Sequence, residues 1–202
     1  MTPAFELYGV MAADDPALAG EVLRFWFGDA PHAPRAEWFR KDEAFDATIR
    51  TRFGAVIPAA LAGAFGDWCA TARGALARVI VLDQFTRNVH RDTPLAFAGD
   101  ERALATAQDA IARGLDRELD HVERWFLYMP FQHSEDPAVQ ERSLELFRAL
   151  ADASGDGGPF EWAERHAVII RRFGRYPHRN AILGRESTPE EIAFLEQPGS
   201  RF

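Results

Sequence analysis

The chain has a single cysteine, Cys69, so no intramolecular disulfide is available and the fold needs no oxidising compartment. A surplus of positive charge is also missing: 23 Lys and Arg against 31 Asp and Glu leave a formal net charge of -8. A mean field of that sign repels a phosphate backbone and excludes sequence-independent nucleic-acid binding as the expected role. Long hydrophobic runs are absent too. The longest uncharged stretch of note, Gly54 to Gly66, is too short to span a bilayer and contains Pro58. Before Glu21 there is no Lys or Arg and no sustained apolar run, so no secretory signal is read there and a cytoplasmic location is expected. No nucleophile elbow, phosphate-binding Gly-rich loop, dinucleotide fingerprint or His-Glu-x-x-His pair occurs, so no familiar mechanism has a foothold.

What is present is apolar and aromatic. Hydrophobic residues make up 47% of the chain, with 16 Phe and 5 Trp, which argues for a large core and against disorder. At 202 residues without an abrupt shift in composition, one folding unit is expected over 14–197, after a loose leader at 1–13 and before a tail at 198–202.

Helical spacing recurs along that unit. Asp14 or Asp15 before Pro16 reads as a helix start, with Leu18, Val22, Phe25 and Trp26 on one face and Gly28-Asp29 as the stop. Asp42 caps a helix carrying Phe45, Ile49, Phe53 and Ile57, which Pro58 ends or kinks. Thr71 to Phe85 is the strongest helical pattern. A strand over Val79 to Leu82 is the alternative, which the surrounding Ala and Arg disfavour. Further helices are predicted from Asp100 to Leu115, from His121 to Met129 with Pro130 closing it, from Asp136-Pro137 to the Gly-rich turn Ser154–Gly158, and from Pro159 through Phe173. Thr188-Pro189-Glu190-Glu191 is a capping signature for a last short helix. With no alternating segments, the expected class is all-α, as stacked antiparallel helical hairpins. The tetratricopeptide consensus and its fixed period are absent.

Three clusters break the pattern of apolar stripe and polar surface. In Leu82–Arg91, continued helical geometry puts Asp83, Arg87 and His90 on one face; cations at a helix C-terminus also complement its dipole, which is the alternative reading. In Arg124–Glu135, an aromatic run including Tyr128 ends in a turn presenting His133, Ser134 and Glu135, a set able to shuttle a proton or hold a metal. There Ser134 or Asp136 equally serves as a cap for the next helix. In Arg171–Asn180, the residues Arg171, Arg172, Arg175, His178 and Arg179 with Asn180 form a cradle for carboxylate or phosphate, unless the arginines bridge helices by pairing with carboxylates. His166 falls in line with Trp162, Ile169, Ile170 and Phe173 and reads as a core histidine. The spacing of His133, Glu135, His166 and His178 gives no metal motif, so neither a metal nor a cofactor is expected.

The pieces Leu-Asp-Gln-Phe-Thr-Arg-Asn (82–88), Tyr-Met-Pro-Phe-Gln-His-Ser-Glu (128–135) and Arg-Phe-Gly-Arg-Tyr-Pro-His-Arg-Asn (172–180) resemble those of the bacterial domain-of-unknown-function family 924. The resemblance runs from about Val22 to Phe194 and implies a fold similar to the tetratricopeptide-like (TPR-like) superfamily. It brings no activity and no catalytic residues. Thr86 stands where such proteins are expected to have Pro, and Tyr176 where Phe is commoner.

Two functional readings follow from the residues. In the first, Arg87, His90, Arg124, Tyr128, His133, Arg172, Arg175, His178, Arg179 and Asn180 line a groove for a small anionic ligand or an acidic peptide. In the second, His133 or His178 is an acid-base group, Glu135 orients it, and the arginines clamp an anionic substrate. A third, structural reading makes the polar clusters fasteners between helices. Oligomeric state is not legible. Both site readings rest on the expectation that the three blocks meet.

Overall fold

The computed structural model describes residues 16–200, and the proposed cap at Asp14 or Asp15 lies outside them. Among the described residues there are helices and turns and no strand, so the chain is all-α. No helix among them is long and apolar enough to cross a membrane. Packing divides the chain into two compact units. One holds the described residues up to Arg91 with Leu95–Pro130; the other holds Asp92–Pro94 and the described residues from Phe131 onward.

The first unit begins with α1 (Pro16–Phe27), stopped by Gly28 at φ 79°. Asp42 then caps α2 (Glu43–Phe53), its carboxylate accepting from the backbone N–H of Ala44 and Phe45 at 3.1 and 3.0 Å. The next break differs from the sequence expectation. The helix is interrupted at Gly54-Ala55, and Pro58 sits in the first turn of α3 (Val56–Leu61), where its missing N–H costs nothing. Thr71 caps α4 (Ala72–Val79), which continues through a π-helical turn, Ile80–Phe85, into α5 (Thr86–Val89). The helix expected to end at Phe85 therefore runs further, and its wide turn buries Asp83 and Gln84 along with Ile80, Val81, Leu82 and Phe85. Then come α6 (Asp100–Ala112), closed by Gly114 at φ 74°, and α7 (His121–His133).

Aromatic rings fill this unit. Trp26 meets Phe85 at 5.8 Å and Phe126 at 5.6 Å between ring centroids, both edge-on, and Phe53 packs on Phe85 at 4.9 Å. Trp26, Phe53, Phe85 and Phe126 are all fully buried, so α1, α2, the π turn and α7 share one apolar centre.

Pro130 does not close α7 as the sequence suggests; it lies inside the helix, which continues to His133. One backbone hydrogen bond is lost at a proline, but Phe126, Leu127 and Phe131 on either side of it are buried, and that burial offsets the loss.

In the second unit, Asp136 caps α8 (Pro137–Ser154), with Pro137 in the first turn as expected. A turn that begins with Gly155 at φ 75° leads to α9 (Gly158–Phe173), and α8 and α9 pack as a hairpin. Phe147, Leu150, Ala163, Ala167 and Ile170 form the seam, and Ile169, Ile170 and Tyr176 pack with Phe173 and Phe194. Trp162 departs from the expected apolar stripe: it is 44% exposed while His166 is buried. Thr188 and Glu191 form a reciprocal capping box for α10 (Pro189–Leu195), as the sequence signature indicates.

Candidate functional site

The π-helical turn gathers the first cluster. Asp83 is fully buried, and its carboxylate faces the Arg87 guanidinium at 3.0 Å and the Gln84 amide at 2.6 Å. Arg87 also donates to both oxygens of Asp100 on α6 at 2.8 and 3.1 Å. Nearby, Asp46 on α2 accepts from Asn88 at 2.6 Å and pairs with Arg91. His90 ends α5, its backbone N–H donating to Thr86. This block is thus a knot of ion pairs joining α2, the π turn and α6 within the first unit.

The residues of the second block divide between the units, Arg124–Pro130 in the first and Phe131–Glu135 in the second. Gln84 contacts the Met129 sulfur at 3.6 Å, which ties it to the first block. Arg124 donates to the carbonyls of Asp116 and Leu119, and the Tyr128 hydroxyl donates to the Asp116 carboxylate at 2.7 Å, so both hold the turn Leu115–Glu118 against α7.

Beyond Pro130 the same helix ends among the residues of the third block. The last carbonyls of a helix lack partners within it. Here Gln140 on α8 donates to the carbonyls of Gln132 and Ser134 at 2.9 and 2.6 Å, the Tyr176 hydroxyl donates to Gln132, and Arg179 donates to His133 at 3.0 Å. Placing the Arg179 cation at this end also complements the helix dipole.

Around the Tyr176 ring sit the groups the sequence singled out. The Arg179 guanidinium lies over it at 4.8 Å, with the His166 ring at 5.7 Å edge-on and the His178 ring at 5.6 Å. His133 is 6.1 Å from His166 between ring centroids. His133, His166 and Arg179 are buried, and His178 is half-buried. Burial pushes the His166 pKa down to about 3, and the charges of His133, Arg179 and His178 push the same way against the hydrogen bond to Trp162. His166 is therefore neutral at physiological pH, in a positive local field.

Glu135 does not orient an imidazole. Its carboxylate receives two hydrogen bonds from Arg185, at 2.6 and 2.9 Å, and one from the Tyr176 backbone N–H at 2.7 Å. Burial raises its pKa, but the Arg185 and Tyr176 hydrogen bonds and the charges of Arg185 and Arg179 outweigh that, and the net shift is downward.

The family profile described as "Bacterial protein of unknown function (DUF924)" matches residues 22–199. The chain belongs to this family. It is similar to the solved structure titled "Structure of Protein of Unknown Function ATU0120 from Agrobacterium tumefaciens", at 41% identity over 91% of this chain and 99% of that one, with a TM-score of 0.82. No curated protein matches the chain.

Arg172 and Arg175 of this DUF924 chain are engaged internally. Arg172 pairs with Glu190 across an exposed surface, and Arg175 grips Glu191 through both oxygens at 2.7 and 2.8 Å. Glu191 also accepts from Thr188 and Asn180, and Asn180 in turn bonds Ser187 and Arg185. Within the second unit, His133, Glu135, Arg179 and Asn180 thus come together with Tyr176 and His178. Arg87, His90, Arg124 and Tyr128 belong to the first unit.

The sequence reading missed Arg185 and Gln140 and read Glu191 only as part of a helix cap, although all three hold this arrangement together. Arg185 lies 50 residues from Glu135, and no local spacing signals such a pair. A surface depression of about 430 Å³, lined by Glu161, Glu164, Arg165, Val168, Ile169, Phe194 and Gly199, contains none of the candidate catalytic or ligand-binding residues.

Proposed function

We propose that this protein binds an anionic group, a small carboxylate or phosphate or the side chains of an acidic peptide, at the imidazole and guanidinium cluster around Tyr176. The observation that carries the reading is the gathering of the Arg179 guanidinium and the His178 and His166 rings around Tyr176, at 4.8, 5.6 and 5.7 Å, with the His133 ring 6.1 Å from His166. A field that opposes a proton on His166 favours an anion beside it, and low polarity around buried groups strengthens the attraction. Of the ten residues read as ligand-binding from the sequence, the proposal takes His133, His178 and Arg179, which stand beside His166 and Tyr176.

The enzyme reading lacks similar support, because Glu135 gives its oxygens to Arg185 and Tyr176. The α8–α9 hairpin supports the TPR-like reading of the fold, in which such hairpins present ligand-binding faces. The single half-buried Cys69 supports a cytoplasmic location.

Isothermal titration with inorganic phosphate, succinate and a short polyglutamate peptide tests the proposal. At least one of these probes binds the wild-type chain. His178→Gln weakens that binding about tenfold or more, the cost of one charge-assisted hydrogen bond, while Arg172→Gln leaves it unchanged. Absence of binding by all three, or an unchanged affinity in His178→Gln, removes the reading.

A further inference from the structure

A second candidate site lies in the first unit and uses none of the residues of the three sequence blocks. Asp120 and Glu123 at the start of α7 cap it reciprocally: the Glu123 N–H donates to Asp120 Oδ1 at 2.9 Å, and the Asp120 N–H donates to Glu123 Oε2 at 3.3 Å. Each carboxylate therefore spends one oxygen on the cap. The other two oxygens turn to one imidazole. Asp120 Oδ2 lies 2.6 Å from His32 Nδ1, and Glu123 Oε1 lies 3.8 Å from it. The three ligand atoms all fall within 4.8 Å of one another. His32, whose side chain is only 6% exposed, packs its ring against Phe27 at 5.3 Å.

We propose that His32, Asp120 and Glu123 form a binding site for a divalent transition metal of the zinc class. Ligands of one tetrahedral zinc ion, at bond lengths of about 2 Å, stand about 3.3 Å apart. The observed separations of 2.6 and 3.8 Å bracket that value. One nitrogen and two carboxylate oxygens are a donor set such an ion accepts, with a further position open to water. The backbone N–H groups of the cap hold the outer oxygen of each carboxylate, as hydrogen-bond donors commonly do around metal ligands.

A cation already occupies part of this space. The Arg73 guanidinium pairs with Glu123 Oε1, the same oxygen that turns to His32, yet the Arg73 side chain is 57% exposed. An exposed guanidinium loses little by swinging into solvent. Arg73 is thus a competitor for the metal, which gives the proposal an outcome that a purely structural ion-pair network does not share.

The test is isothermal titration of zinc chloride into the full chain. The wild type takes up one zinc ion at this site. His32→Ala and Asp120→Asn each weaken that uptake at least about tenfold. Asp120→Asn keeps a good helix cap, so loss of metal there is not loss of fold. Arg73→Ala binds zinc more tightly than the wild type. No uptake by the wild type, uptake unaltered by His32→Ala with the metal then held elsewhere, or an Arg73→Ala affinity equal to or below the wild type each overturns the proposal.

Discussion

His166 faces the Trp162 carbonyl through Nδ1 at 2.8 Å. A carbonyl only accepts, so Nδ1 carries the proton of the neutral ring and Nε2 keeps its lone pair. The ring's pKa of about 3 in the folded protein, against 6.5 for a free imidazole, has a consequence for stability. Below 6.5 the unfolded chain takes up a proton that the folded chain refuses. Stability is full above 6.5 and falls as pH drops towards 3, by about 1.4 kcal/mol per pH unit from this group. Urea unfolding on both sides of 6.5 should show this fall in the wild type and a shallower one in His166→Gln.

Glu191 should dominate a more acidic window. The Arg175 hydrogen bonds oppose its burial and, with the Thr188 N–H, the Arg175 charge and the Asn180 amide, hold its pKa at about 2, against 4.5 for a free glutamate. The folded carboxylate therefore contributes stability that is fully present above 4.5 and lost as pH falls towards 2. Glu191→Gln keeps the shape but removes the charge. It should be less stable than the wild type at neutral pH, with the difference shrinking in acid, as read by chemical unfolding at matched pH.

Two glycines should respond oppositely to alanine. A Cβ on Gly99 stands 2.0 Å from the Leu82 carbonyl oxygen of the π turn, while one on Gly20 meets nothing within 4 Å. Gly99→Ala forces the start of α6 away from that turn and should cost about 1–3 kcal/mol. Gly20→Ala, inside α1, should add about 0.4–1 kcal/mol. Thermal unfolding of the two variants beside the wild type measures both signs.

Tyr176→Phe tests the cap on α7. The hydroxyl donates to the Gln132 carbonyl in a fully buried position, with the Gln140 amide nitrogen 2.9 Å away. Its removal should cost about 0.5–1.5 kcal/mol, the net worth of one hydrogen bond, because the Gln132 carbonyl keeps the Gln140 amide as a partner. Amide exchange near the end of α7 should speed up accordingly.

Where a helix begins was written locally and could be read. Asp42, Asp136-Pro137 and the Thr188–Glu191 box each place a side-chain oxygen beside backbone N–H groups a few residues on, so short-range chemistry suffices. Pro58 and Pro130 misled because a proline's effect depends on its position in the turn and on what is buried around it. The π turn carries no local signal in the apolar spacing, and the contact of Gln84 with Met129 spans 45 residues. The candidate site was legible as a set of residue types. Its geometry was not: Tyr176 meets Gln140 across 36 residues, and His32 meets Asp120 across 88.

The imidazole of His166 is the most direct probe of the proposed anion site, because it reports the field there without having to touch the ligand. Its NMR titration, followed with and without saturating phosphate, succinate or polyglutamate, measures that field. The account predicts a neutral ring well below 6.5 in the free protein and a pKa raised above about 3 by the probe that binds. A ring that titrates near 6.5 in the free folded protein, or one whose pKa does not move when a bound anion saturates the chain, contradicts it.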